Sequence, residues 1–181
     1  MKIIRSKRRT FALQIKPKEG LIVRVPLRAS KEQVEKFVND NKDWIDKNLK
    51  IMEERQRKLS SVEKLTIDEI RILAEQALKL IPERVEHYAS LLGVTYGRIT
   101  IRNQLTRWGS CSSRKNLNFN CLLMLTPPEV IDSVVVHEVC HLKEMNHSER
   151  FYAEVLRVFP DYWKWHAWLK ENGRTIMAKI K

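Results

Sequence analysis

Apolar and polar positions alternate through residues 8–27, RRTFALQIKPKEGLIVRVPL, on both sides of a Lys-Pro-Lys-Glu-Gly turn. Phe11, Leu13 and Ile15 share one face of the first arm, and Leu21, Val23, Val25 and Leu27 one face of the second. This period of two around a turn predicts a β-hairpin. At Ser30 the period changes to that of a helix. Ser30 and Gln33 form a capping box, and Val34, Phe37, Val38, Trp44, Ile45, Leu49 and Met52 follow at helical spacing. The polar stretch 53–64, EERQRKLSSVEK, is predicted to be a loop or linker. A second capping box, Thr66 to Glu69, opens a long helix with an apolar stripe from Ile70 to Leu92, stopped by Gly93 and kinked at Pro82.

Residues 96–104 and 116–125 read as strands separated by a turn-rich loop, 105–115. TPPEV at 126–130 is a helix start: Thr126 caps, a proline follows where its missing N–H costs nothing, and Glu129 completes the box. Two further helices are predicted over Ser148–Val158 and Asp161–Gly173, the latter burying Trp163, Trp165 and Trp168. Strands and helices are segregated rather than alternating, which predicts an α+β fold. The length suits a single domain, 1–181, with a hairpin-plus-helix part at 1–58 and a second part at 66–181.

Composition adds limits. No apolar run approaches the roughly 20 residues that span a bilayer, so no membrane partner is expected. The basic start MKIIRSKRRTFALQI alternates instead of forming a signal-peptide core. Cys111, Cys121 and Cys140 are odd in number and lack CxxC spacing, which suits reduced thiols in a cytoplasmic protein. The net charge of +12 suits either a solvated surface or an anionic partner, with KIIRSKRR and RQRK as candidate contacts to nucleic acid.

The chemistry concentrates in VVVHEVCHLKEMNHSERF, Val134–Phe151. His137, Glu138 and His141 form HExxH, which on a helix sets the two imidazoles about 40° apart on one face. Glu138, turned about 100° from His137, flanks a bound ion without ligating it and is placed to take a proton from water that the ion acidifies. Val134, Val135, Val136 and Val139 make the helix apolar, and buried histidines need the partner that a metal supplies. The third ligand could be Glu144, His147, Glu149 or Glu154. His147 is favoured, because three imidazoles match known zinc sites; it requires a helix break near Asn146, with Ser148 capping the next helix. Cys140 reads as an apolar filler, and His87 and His166 have no evident partner.

The stretch RWGSCSSRKNLNFNCLLMLTPPEVIDSVVVHEVCHLKEMNHSERFY, together with SKRRTFALQIKP, VRVP and DWIDKNL nearer the N-terminus, resembles the YgjP-like metallohydrolases. These are also called YgjP-like metallopeptidases and are relatives of the SprT and WLM zincins. The resemblance implies a zincin-like α+β domain: an N-terminal hairpin, long helices and a small antiparallel sheet. It implies one zinc per chain on His137, His141 and His147, with other divalent transition metals possible, and Glu138 as catalytic base. It also implies that strand 116–125 lines the cleft and pairs with an extended substrate. Asn118 and Asn120 would then be substrate contacts, and Arg107 would bind an anionic group. A metallopeptidase is the favoured activity. The alternatives are a metal-dependent nucleoside triphosphate (UTP) pyrophosphatase and a DNA-associated SprT-like protease, so the expected partners are peptide, nucleotide or nucleic acid. The middle hairpin usual in that family has no counterpart between Leu59 and Thr66.

Overall fold

The computed structural model describes residues 1–17 and 19–180. They form two compact units, Met1–Ser61 and Val62–Lys181. In the first, the predicted hairpin is β2 (Ala12–Lys16) and β3 (Gly20–Pro26), antiparallel with Lys16 opposite Gly20. A strand not anticipated, β1 (Lys2–Ser6), runs parallel along the other edge of β3. Its adjacent Ile3 and Ile4 hide the alternation that would have revealed it. Val23, Val25, Ala29 and Val34 form the small core, with Phe11, Leu13, Leu21, Phe37 and Val38 packed against it.

The single helix expected after Ser30 is two, α1 (Lys31–Asp40) and α2 (Lys42–Ser60). Asn41 divides them, its side-chain amide donating to the Phe37 carbonyl at 2.8 Å. The helix α2 also takes in residues 53–60, expected to be loop. Those residues are strong helix formers, with Glu53 and Glu54 each four positions ahead of Arg57 and Lys58, the favourable order.

The second unit holds α3 (Ile67–Leu92), β4 (Ile99–Arg102), β5 (Gly109–Cys111), β6 (Leu117–Asn120), a 3-10 turn (Cys121–Leu125), α4 (Pro128–Cys140), α5 (Glu149–Val158) and α6 (Tyr162–Met177). Helix α3 has the ends the sequence predicts. Thr66 Oγ1 accepts from the Glu69 amide, Glu69 accepts from the Thr66 amide at 2.7 Å, and Gly93 closes the helix at φ 65°. Pro82 lies inside it without ending it. The sheet has the order β4-β6-β5 and is mixed rather than antiparallel, because β4 runs parallel to β6.

The predicted strand 116–125 stops halfway. Asn120 is fully buried, its amide donating to the carbonyls of Gln104 (2.7 Å) and Arg107 (2.9 Å) while its oxygen accepts from the Leu122 amide. That side chain competes with the ladder and turns the chain into the 3-10 segment. Thr126 does not cap α4. Its hydroxyl donates to the Leu123 carbonyl at 2.7 Å, closing the 3-10 turn, and Pro127 occupies the cap position.

Helix α4 is the centre of the unit, with Val130, Ile131, Val134, Val135, Val136, Val139 and Cys140 all buried. Arg84 of α3 holds both oxygens of Asp132 on α4, at 2.7 and 2.6 Å. Helix α6 runs past its expected end at Gly173. A Cβ there would lie 3.1 Å from the Trp108 indole, so this glycine admits a ring instead of stopping a helix. The ends of the unit meet where the Leu65 amide donates to the Lys179 carbonyl at 2.8 Å. Among the described residues no helix is long and apolar enough to cross a membrane.

Candidate metal centre

Cys140 is the last residue of α4, and His141 caps it while keeping helical angles, φ −64° and ψ −16°. His137 and His141 therefore stay one turn apart on one face, their Nε2 atoms 3.2 Å from each other. The break comes directly after His141 rather than near Asn146. The Lys143 and Glu144 amides both donate to the Cys140 carbonyl at 3.0 Å, and this tight turn sends the chain back. His147 returns with its Nε2 3.0 Å from that of His137. Ser148 then opens α5 as expected, its hydroxyl accepting from the Phe151 amide. All three ligand atoms lie within 4.8 Å of one another. Tetrahedral zinc with Zn–N bonds of about 2.0–2.1 Å spaces its nitrogens by roughly 3.3 Å.

The remaining ring nitrogens are tethered. His141 Nδ1 lies 3.0 Å from the Glu144 carbonyl and His137 Nδ1 lies 2.9 Å from the Tyr162 hydroxyl. A carbonyl only accepts, so His141 carries its proton on Nδ1 and turns a lone pair inward on Nε2. Burial, reinforced by the neighbouring imidazoles, holds the His137 pKa down to about 3, and burial lowers that of His141 as well. With His141 Nε2 fixed as an acceptor, no single proton position satisfies both short contacts of His137 Nε2. Three neutral nitrogens gathered on one point fit a divalent transition metal ion, and the outer tethers are those that orient such ligands. Phe151, fully buried, supports the cluster, its ring stacked on His141 at 4.5 Å between centroids.

Glu138 is 6% exposed. Burial pushes its carboxyl up to about 8, opposed by a hydrogen bond from the Cys111 backbone and by the charge of Arg107. A Cβ on Gly109 would sit 2.7 Å from Glu138 Cγ and Oε1, so only glycine lets β5 pass this close to the carboxyl. Two cavities meet at Glu138 and His137, with Arg107 and Gly109 in the wall of both. One, of about 280 Å³, holds His141, His147, Ser110, Cys111 and Met145. The other, of about 240 Å³, lies between Trp108, Val134, Leu169, Tyr162 and His166.

Arg107 stands in the wall of the cleft and is exposed. Asn120 does not, since it is buried with its polar atoms engaged in the turn. Asn118 spans the sheet, accepting from Arg102 Nε at 3.1 Å and donating to Ser110 Oγ at 3.2 Å. Strand β6 cannot pair with a substrate because β4 and β5 occupy both its edges; the strand with an open edge beside Glu138 is β5. Among the other ligand candidates, Glu144 contributes only its carbonyl and Glu149 is exposed. Glu154 is held by Lys143 (3.1 Å) and Arg157 (2.8 Å). Cys140 is fully buried, its thiol pushed up to about 12 by burial, which suits a filler.

Sequence reasoning missed Tyr162 and left His166 without a partner. Tyr162 OH lies 3.3 Å from His166 Nδ1, which completes a chain from His137. The only available signal was the Tyr-x-x-x-His spacing inside a segment that reads as aromatic core. That core is partial: Trp165 and Trp168 are half-buried, whereas Trp163 is 48% exposed.

Three imidazoles beside a buried carboxyl suit a metal-dependent hydrolase. The chain belongs to the family described as YgjP-like, metallopeptidase domain, whose sequence model matches residues 9–72 and 63–172. Among solved structures, the metallopeptidase zymogen of Pyrococcus abyssi abylysin is similar, with 22% identity and a TM-score of 0.47, over 52% of this chain and 97% of that one. The metallopeptidase zymogen of Methanocaldococcus jannaschii jannalysin is similar at 21% identity and the same TM-score, over the same shares. A search of curated proteins finds no match.

Proposed function

We propose that the chain is a zinc-dependent peptidase of the zincin type, in which His137, His141 and His147 hold the ion and Glu138 is the general base. The observation that carries this reading is the convergence of three Nε2 atoms beside a buried carboxyl. Zinc bound there would acidify water and polarise a scissile carbonyl. The charge of an ion bound beside Glu138 would hold its carboxyl ionised against the effect of burial, so that Glu138 takes the proton of the attacking water and passes it to the leaving amine.

The edge of β5 supports a peptide as substrate. Ser110 pairs with Asn118, and the Asn120 amide donates to the Trp108 carbonyl. By the alternation of an antiparallel ladder, the backbone groups of Gly109 therefore point off the free edge, where an extended chain can pair with them. No observation favours a nucleotide or DNA-bound substrate.

The test compares wild type with Glu138→Gln on unfolded casein and on UTP, alongside metal analysis. Both proteins should carry about one zinc per chain, and casein hydrolysis should fall at least 100-fold in the variant. Turnover of UTP alone, lost in the variant, would replace the peptidase reading. A chain that takes up no metal would remove it.

A further inference from the structure

We infer that the site binds the free C-terminus of a peptide ending in an apolar residue, with Arg107 and His166 holding the terminal carboxylate. This rests on the peptidase reading and names its substrate class. The 240 Å³ cavity has Trp108, Val134 and Leu169 in its wall and shares Glu138 and His137 with the metal side. An occupant therefore lies one residue from the reacting bond. Ligand pockets for whole small molecules run roughly 300–1,000 Å³, so this one suits a single large side chain.

Two donors stand in the same wall. Arg107 is exposed, and among the described residues its guanidinium has neither a hydrogen bond nor an ion pair. A planar guanidinium offers paired N–H groups that match a carboxylate. The second donor follows from the hydrogen-bond chain behind the metal. For His137 to present its Nε2 lone pair to the ion, its proton sits on Nδ1 and is donated to the Tyr162 oxygen. The proton of Tyr162 then goes to His166 Nδ1. His166, a residue of the cavity wall, is left with its proton on Nε2, which among the described residues has no partner. The arrangement is an apolar recess beside Glu138 with an unpaired cation among the described residues and an oriented N–H at its side. An internal peptide bond offers these donors one neutral carbonyl; a chain terminus offers a full carboxylate.

The test uses zinc-loaded Glu138→Gln, which binds without turnover, and calorimetry with acetyl-Ala-Ala-Phe, its C-terminal amide, acetyl-Ala-Ala-Gly and UTP. The free acid should bind at least tenfold more tightly than the amide, and more tightly than the glycine peptide. Arg107→Ala in the same background should bring the acid down to the level of the amide and leave the amide unchanged; His166→Gln should remove part of the preference. Wild type should release phenylalanine from the acid and leave the amide intact. Equal binding of acid and amide, or cleavage of casein at internal bonds regardless of end group, overturns this inference while the peptidase reading stands. Zinc-loaded protein that binds UTP and none of the peptides overturns both.

Discussion

Tyr162 is 1% exposed, and its hydroxyl stands between two imidazoles, one of them in the histidine cluster. Tyr162→Phe keeps the ring and its packing but frees His137 to rotate and to change tautomer. Zinc affinity should fall about 10- to 100-fold, measured by competition with a chromophoric chelator, while the folded state survives. Glu138 and His137 also set how the metal-free protein responds to pH. Glu138, raised from 4.5 to about 8, stays protonated in the folded chain while the unfolded chain ionises, so stability is lost as pH rises from 4.5 to 8. His137, lowered from 6.5 to about 3, refuses a proton that the unfolded chain accepts, so stability is lost as pH falls from 6.5 to 3. The two slopes, about 1.4 kcal/mol per pH unit each, cancel between 4.5 and 6.5. Denaturant melts of the metal-free protein should show a plateau there with a decline on each side. Glu138→Gln should abolish the alkaline decline; a variant that keeps it would show that another group is responsible.

At the scale of elements, β5 and α4 depend on one another through Gly109. Gly109→Ala drives a methyl into Glu138, whose neighbours are fixed. We expect a loss of about 1–3 kcal/mol in stability and of most activity, with metal content retained, checked by melts and zinc analysis. Periodic elements were legible in the sequence: the hairpin, α3 with both its ends, the Ser148 cap and the apolar helix that carries HExxH. His137 and His141 could be paired from spacing alone because a helix fixes i and i+4. What stayed hidden depends on competition that a linear pattern does not display. Thr126 prefers the carbonyl behind it to the helix ahead, and Asn120 uses its side chain to end a strand that its apolar neighbours would prolong. Tyr162 lies 25 positions from the histidine it tethers, and only the folded chain brings them together.

At the scale of the molecule, charge and chemistry are distributed unequally. Met1–Ser61 holds 17 Lys and Arg against 8 Asp and Glu, so +9 of the chain's +12 falls in the unit that contains none of the proposed metal site. Among the described residues, the core of Val62–Lys181 is built from residues of that unit, from Leu65 to Ile180. Residues 62–181 produced alone should fold and bind one zinc with an affinity within about threefold of the full chain, a result that calorimetry and circular dichroism would check. An unfolded fragment would show that the first unit is required.

The point at which α4 ends has one more consequence. Aligned peptide dipoles leave a helix with roughly half a negative charge at its C-terminal end, and α4 ends at Cys140 with His141 as its cap. The whole helix thus acts as a weak anion aimed at the histidine cluster. It favours a cation there by about 0.3–1 kcal/mol, and by up to about 2 where burial limits screening, without adding a charged side chain. If the proposed histidines hold a divalent ion, three neutral imidazoles would leave it its full double charge, and part of the attraction retaining it would come from the backbone.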